Sequence, residues 1–134
     1  MGTVQLKTEV SQKQGASLNK EIEGCISRKK KVFCKGLNKR PIFLTKYLEA
    51  TNNRRDKTRR KRLFFAGLEL VVKVRKSDLI SKQKNQLGMA YGFKGITPSG
   101  DVVNVHIREE SIGKDKTFSC FNLLNDKSPA IKRP

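Results

Sequence analysis

The chain holds one histidine, His106, and Arg108 stands two positions after it. Both fall in GDVVNVHIREESIGKDKTFSCF, residues 100–121, which alternates like a strand, breaks at Ile112-Gly113 and alternates again. Side chains two apart on a strand share a face, roughly 7 Å from one another. His106 and Arg108 could therefore flank one phosphate. An imidazole gives or takes a proton near neutral pH, and a guanidinium binds a phosphate bidentately and offsets charge building on it. With Ile112-Gly113 as a two-residue turn, Ile107 lies opposite Phe118 and Val105 opposite Cys120. That register keeps apolar residues together and sets His106 against Ser119 and Arg108 against Thr117. His106, Arg108, Ser119 and Thr117 are thus the expected site. This is equipment for metal-free cleavage of RNA, in which a 2′-OH attacks its own phosphate. That reaction needs a base, an acid and a cation. A second proton carrier must come from Glu69, Glu109 or Glu110, and Glu110 lies about 13 Å along the strand from His106. Lys46, Lys73, Lys94 and Lys116 are further cations. The plainer alternative is a lone histidine on a solvated strand face.

The elements that must hold this hairpin are read from periodicity. Residues 1–28 are polar and rich in small residues, and they read as a flexible N-terminal segment, with Val4, Leu6 and Val10 able to form a short edge strand. KKKVFCKG fits either a short strand or an irregular docking segment. Asn38 to Asn53 reads as a helix, with Pro41 in its first turn and Leu44, Tyr47 and Leu48 on one face. The stretch LFFAGLELVVKV is ambiguous. A helix from about 54 to 66 followed by a strand from 68 to 75 is preferred, because Gly67 weakens a helix by about 1 kcal/mol. The competing helix, Arg59 to Val72, would bury Leu63, Phe64, Gly67, Leu70 and Val71. Ser77-Asp78 caps a short helix or belongs to a polar loop. Leu87 to Ile96 alternates, and Gly88 and Gly92 leave one of its faces thin enough for close approach of a backbone or ligand. TPSG, residues 97–100, is a turn. The expectation is an α+β fold with N-terminal helices packed on a three- to four-stranded antiparallel β-meander. One basic domain then spans residues 29–124, with a disordered tail at 125–134.

The 134 residues carry a formal net charge of +18. Charge of that size selects polyanionic partners, nucleic acid foremost and RNA ahead of DNA. RRDKTRRKR gives a second candidate surface: Arg54, Arg55, Lys57, Arg59, Arg60, Lys61 and Arg62. If that run does the work, the protein is a non-enzymatic nucleic-acid binder and His106 is incidental. A third reading is a protein-interaction module or effector whose charge serves an acidic partner. Cys25, Cys34 and Cys120 are odd in number without a CxxC pair, so neither a disulfide framework nor a metal site is expected. No cofactor is expected, since there is no P-loop and no GxGxxG. No apolar run approaches a membrane span, MGTVQLKTEV lacks the core of a secretory signal, and Leu6 breaks the myristoylation pattern. A cytoplasmic location fits, as does delivery as an effector or phage-borne protein.

The order of a basic helix, RRDKTRRKRLFFAGLELVV, followed by a meander ending in GDVVNVHIREESIGKDKTFSCF resembles the barnase–EndoU–colicin–RelE-like superfamily of toxin nucleases, over about residues 40–124. The resemblance implies metal-independent RNases with N-terminal helices on a four-stranded antiparallel sheet. It implies catalytic His, Arg or Lys, and Ser or Thr on the exposed sheet face, here His106, Arg108, Thr117 and Ser119. A cognate antitoxin or immunity protein is an implied partner. The chain departs from that pattern in having one histidine and no clear acidic partner on its face.

Overall fold

A computed structural model describes residues 2–45, 47–52, 55–84, 88–112 and 116–124; the side chains of 40, 49–50, 110–112 and 116–124 are outside the description. The elements run β1 (Thr3–Gln5), α1 (Gly15–Lys29), β2 (Lys31–Cys34), β3 (Arg40–Phe43), α2 (Tyr47–Asn52), α3 (Lys57–Arg62), α4 (Phe64–Lys73), β4 (Ser81–Lys84), β5 (Gly88–Ile96), β6 (Val102–Ile112) and β7 (Lys116–Leu124). The fold is α+β.

Among the described residues seven strands form one mixed sheet, ordered β1-β5-β6-β7-β3-β2, with β4 also paired to β5. β4 to β7 pair antiparallel in succession. The sheet is wider than the expected meander and not purely antiparallel, because β1 runs parallel to β5 and β3 parallel to β7. The TPSG turn closes as its residues dictate. Thr97 N donates to Asp101 O and Gly100 N to Thr97 O, both at 2.9 Å, and Gly100 takes a φ of 93°.

The first 28 residues are not a flexible lead. Leu6 and Val10 are buried, and α1 turns Leu18, Ile22 and Cys25 into the core. The spacing of these three, four then three residues apart, is a helical stripe hidden among polar neighbours. Glu69 fastens the segment to α4: its carboxylate accepts hydrogen bonds from Lys7 N at 2.9 Å and Thr8 N at 2.8 Å.

Residues 38–53 are not one helix. Asn38 and Lys39 take φ values of 60° and 61°, which turn the chain after β2. Pro41 then sits in β3 opposite Phe33, and a helix begins only at Tyr47. The ambiguous stretch is helical, against the preferred strand at 68–75. α3 and α4 are separated at Leu63, and Tyr47 Oη donates to Arg60 O at 3.1 Å at that break. Phe64, Ala66, Gly67, Leu68, Leu70 and Val71 are all buried. A helix enclosed on most sides is apolar on most sides, so its period fades and short runs mimic strand alternation. After α4 the chain makes one 3₁₀ turn, Lys76–Asp78, and enters β4 instead of a helix.

Buried side chains from α1, α2 and α4 join Val103, Val105 and Ile107 of β6 and Tyr91 and Phe93 of β5 in one core. The core thus lies on one side of the sheet. The alternate residues of β6, Asn104, His106 and Arg108, belong to the other side.

Candidate functional site

Along β6 the alternation is sharp. Val103, Val105 and Ile107 are at most 1% exposed, while Asn104 and His106 are partly buried and Arg108 is exposed. Alternating faces follow from the strand period of two. His106 and Arg108 therefore do share a face, as their spacing requires.

Pairing across the sheet decides what stands beside them. His106 pairs with Gly92 of β5, and Gly92 in turn with Ser81 of β4. Gly92 has no side chain, and the Ser81 hydroxyl fills the space a Cβ there would need. The thin face expected at Gly92 thus admits β4 and its serine. Ser81 and His106 are two strand spacings apart, roughly 10 Å, across a glycine floor. Arg108 pairs with Ala90, which pairs with Gln83. Asn104 pairs with Lys94. A polar floor results from Ser81, Gln83, Lys94, Asn104, His106 and Arg108.

Burial lowers the His106 pKa below the ordinary imidazole value, and the nearby Arg108 charge lowers it further. A charged imidazolium gives up hydration here and meets a like charge. Both causes favour the neutral ring. The neutral ring can accept a proton, and Arg108 stands beside it.

The hairpin register differs from the expected one. His106 pairs with Asn122 and Arg108 with Cys120, while Ser119 pairs with Glu109 and Thr117 with Ser111. The pairing is shifted by three residues because Ile112 pairs with Lys116, leaving residues 113–115 as the connection. Gly113 itself lies outside the described residues. The structure brings His106 and Arg108 together and sets Ser119 and Thr117 at register positions out of phase with them. Pattern could not choose between registers: β7 holds apolar residues in both phases, Phe118 and Cys120 in one, Phe121 and Leu123 in the other. The observed pairing sets Ile107 against Phe121 and Val105 against Leu123, apolar on apolar as before.

The expected proton carriers are placed elsewhere. Glu69 belongs to α4, on the core side of the sheet. Burial alone would raise its pKa, but hydrogen bonds from Lys7, Thr8 and Lys73 together hold it below the usual carboxylate range. Lys73 donates to Gln5 O at 2.9 Å in the same cluster. Glu109 is on the face opposite His106, 3.5 Å from Tyr91 Oη. Glu110 shares the phase of His106, but its side chain lies outside the description, as do Lys46 and the side chain of Lys116.

The basic run is partly consumed by the fold. Arg60 is buried and pairs with Asp56 at 2.7 Å. Arg59 reaches Asp101 at 3.3 Å, and Arg62 Nε donates to Ser11 O at 2.6 Å. Lys61 is also buried, and burial together with Lys57 lowers its pKa. Arg55 and Lys57 are exposed, and Arg54 lies outside the described residues. Asn104 follows from the strand period, whereas sequence reasoning did not place Ser81 and Gln83 beside His106. Only the glycine at position 92 signalled that something would approach there.

Cys25 and Cys34 are buried free thiols whose pKa values are raised by burial. Among the described residues no cluster of three His, Cys, Asp or Glu could hold a metal ion, and no helix is long and apolar enough to cross a membrane. Comparison of the chain with protein-family models, with curated proteins and with solved structures finds no match.

Proposed function

We propose that the protein binds single-stranded RNA across the sheet face of His106 and Arg108, and that His106 acts there as a general base on a ribose 2′-OH. The observation that carries this reading is the placement of half-buried His106 and exposed Arg108 two positions apart on the side of β6 opposite the core, with burial favouring the neutral ring. Arg108 grips a phosphate, Lys94 lies within reach of a neighbouring one, and Asn104, Ser81 and Gln83 supply hydrogen-bonding groups to sugar or base. The net charge of +18 draws a polyanion to the surface. A neutral base and a cation are two of the three groups that 2′-OH attack requires. The resemblance to toxin nucleases supports the same chemistry.

The second reading places binding on the basic run with His106 idle. It is weakened by the engagement of Arg59, Arg60 and Arg62 with protein partners. The test uses labelled mixed-sequence RNA in EDTA with the parent, His106→Ala, Arg108→Ala and a double Arg55→Gln, Lys57→Gln variant. Cleavage lost in His106→Ala, and binding weakened at least tenfold in Arg108→Ala, are expected. Binding that survives Arg108→Ala but fails in the double variant moves the function to the basic run.

A further inference from the structure

Among the described residues the sheet ends at β2, and that edge is built unlike a protected one. Leu44 N donates to Lys30 O at 2.9 Å, so residues 30 and 44 are a hydrogen-bonded pair. Antiparallel pairing alternates, so Val32–Ile42 is the next such pair. The backbone N–H and C=O groups of Lys31 and Phe33 therefore point away from β3, toward the open edge. Lysines at an edge are ordinarily a guard against strand addition. Here they accompany exposed apolar surface. Phe33 is 53% exposed and Val72, on the neighbouring turn of α4, is 47% exposed.

These residues line one shallow groove of about 690 Å³, together with Val32 and the exposed lysines Lys29, Lys31, Lys35 and Lys39. Its walls are aliphatic apart from Phe33. The Phe33 ring already carries the Lys31 ammonium, 5.8 Å from its centroid. A stacking nucleobase would have to displace that cation, whereas Val32 and Val72 accept an aliphatic side chain as they stand. Four ammonium groups around an apolar floor complement carboxylates around an apolar anchor.

We propose that the β2 edge binds an extended acidic segment of a partner protein, which adds to the sheet as a further strand. Lys31 and Phe33 supply main-chain hydrogen bonds. An apolar side chain of the partner enters the Phe33–Val72 groove, and its carboxylates meet Lys29, Lys35 and Lys39. Strand addition of this type draws affinity from main-chain bonds and selectivity from alternate side chains. The registers set Lys31 in one row with Cys120 and Arg108, so the edge lies on the same side of the sheet as His106 but three strand spacings, roughly 14 Å, from Arg108.

The test uses full-length protein and a fluorescein-labelled peptide, Glu-Asp-Val-Glu-Ile-Glu-Leu-Asp-Glu, read by fluorescence anisotropy. Saturable binding is expected, weakened at least tenfold by Phe33→Ser and by the Lys35→Glu, Lys39→Glu double variant, and unchanged by Arg108→Ala. Both altered surfaces are exposed, so folding is preserved, and circular dichroism verifies it. Methylating alternate peptide nitrogens separates strand addition from plain charge attraction: one of the two alternating patterns must abolish binding and the other must spare it. Equal binding of the two patterns, or no loss in Phe33→Ser, overturns the proposal. So does a ten-residue oligouridylate that binds this edge, and loses binding in Phe33→Ser, when the peptide does not bind.

Discussion

A partly buried histidine whose pKa is lowered couples folding to pH with a definite sign. The folded state of His106 prefers the neutral ring, through burial and then the Arg108 charge, while the unfolded chain binds its proton near 6.5. The unfolded state thus holds more protons as the pH falls through that value. Stability is whole above about pH 6.5 and declines as the medium is acidified toward the folded pKa. His106 is the only histidine, so the imidazole part of the slope just below pH 6.5 belongs to this residue. Denaturant melts across that window should show the slope in the parent and lose it in His106→Gln. A slope that persists in the variant would assign it to another group. Gly95 makes a second residue-level demand, on packing. A Cβ there would lie 2.9 Å from Leu6 Cδ1 and 3.2 Å from Leu70 Cδ1, both on buried leucines. Overpacking of this kind costs about 1–3 kcal/mol, only partly offset by the lower chain entropy of alanine. Gly95→Ala should lower the melting temperature by several degrees, whereas Gly15→Ala meets no neighbour and suffers only from its φ of 57°.

Among the elements, the joint between β1 and α4 hangs on one carboxylate. Glu69 takes backbone hydrogen bonds from both Lys7 and Thr8 and is 3.4 Å from Lys73 Nζ. Glu69→Gln keeps the shape but turns one acceptor oxygen into a donor facing an N–H. A fully buried amide left without its acceptor costs about 1–3 kcal/mol; here the Thr8 bond is part-buried and the Lys7 bonds are exposed, so the cost falls below that range. The loss should be local: amide exchange at Lys7 and Thr8 should quicken well before that of β6. Uniform acceleration would mean that the clamp supports the whole fold. This joint also marks where the sequence stopped being legible. The strands that carry His106 and Tyr91 were readable because one face of each is apolar and the other is not. α1 was hidden because its three buried residues sit among lysines and small polar residues, so composition outweighed spacing. α4 was hidden for the opposite reason, being apolar nearly all round. The pairing of His106 and Arg108 followed from strand period alone. The placement of Ser81 required knowing that β4 lies beside Gly92, a contact between distant segments that no local pattern specifies.

For the molecule as a whole, the question is how a net charge of +18 is divided between holding the fold and meeting a partner. Within the basic run the division is uneven. Arg60, buried and 2.7 Å from Asp56, belongs to the fold, and so does Arg62 on the Ser11 carbonyl. Asp56 is partly exposed, so stranding it costs less than the about 3–5 kcal/mol of a fully buried pair, but the loss of the buried Arg60 side chain adds to it. Arg60→Met should therefore unfold part of the population while leaving RNA affinity per folded molecule unchanged. Arg55 and Lys57 are exposed, and Arg108 is exposed on the sheet. Each phosphate neutralised on single-stranded nucleic acid contributes about 0.7 to the slope of log affinity against log salt. If RNA lies on the sheet, Arg108→Ala reduces that slope by about 0.7 and the Arg55→Gln, Lys57→Gln pair leaves it nearly unchanged. If RNA lies on the basic run, the pair reduces the slope by about 1.4 and Arg108→Ala leaves it alone. Titrations of a short oligouridylate at four salt concentrations, with Arg60→Met as the control for folded fraction, locate the polyanion on one surface or the other. Slope is the better readout than affinity, because it counts phosphates and is insensitive to how much of the sample is folded.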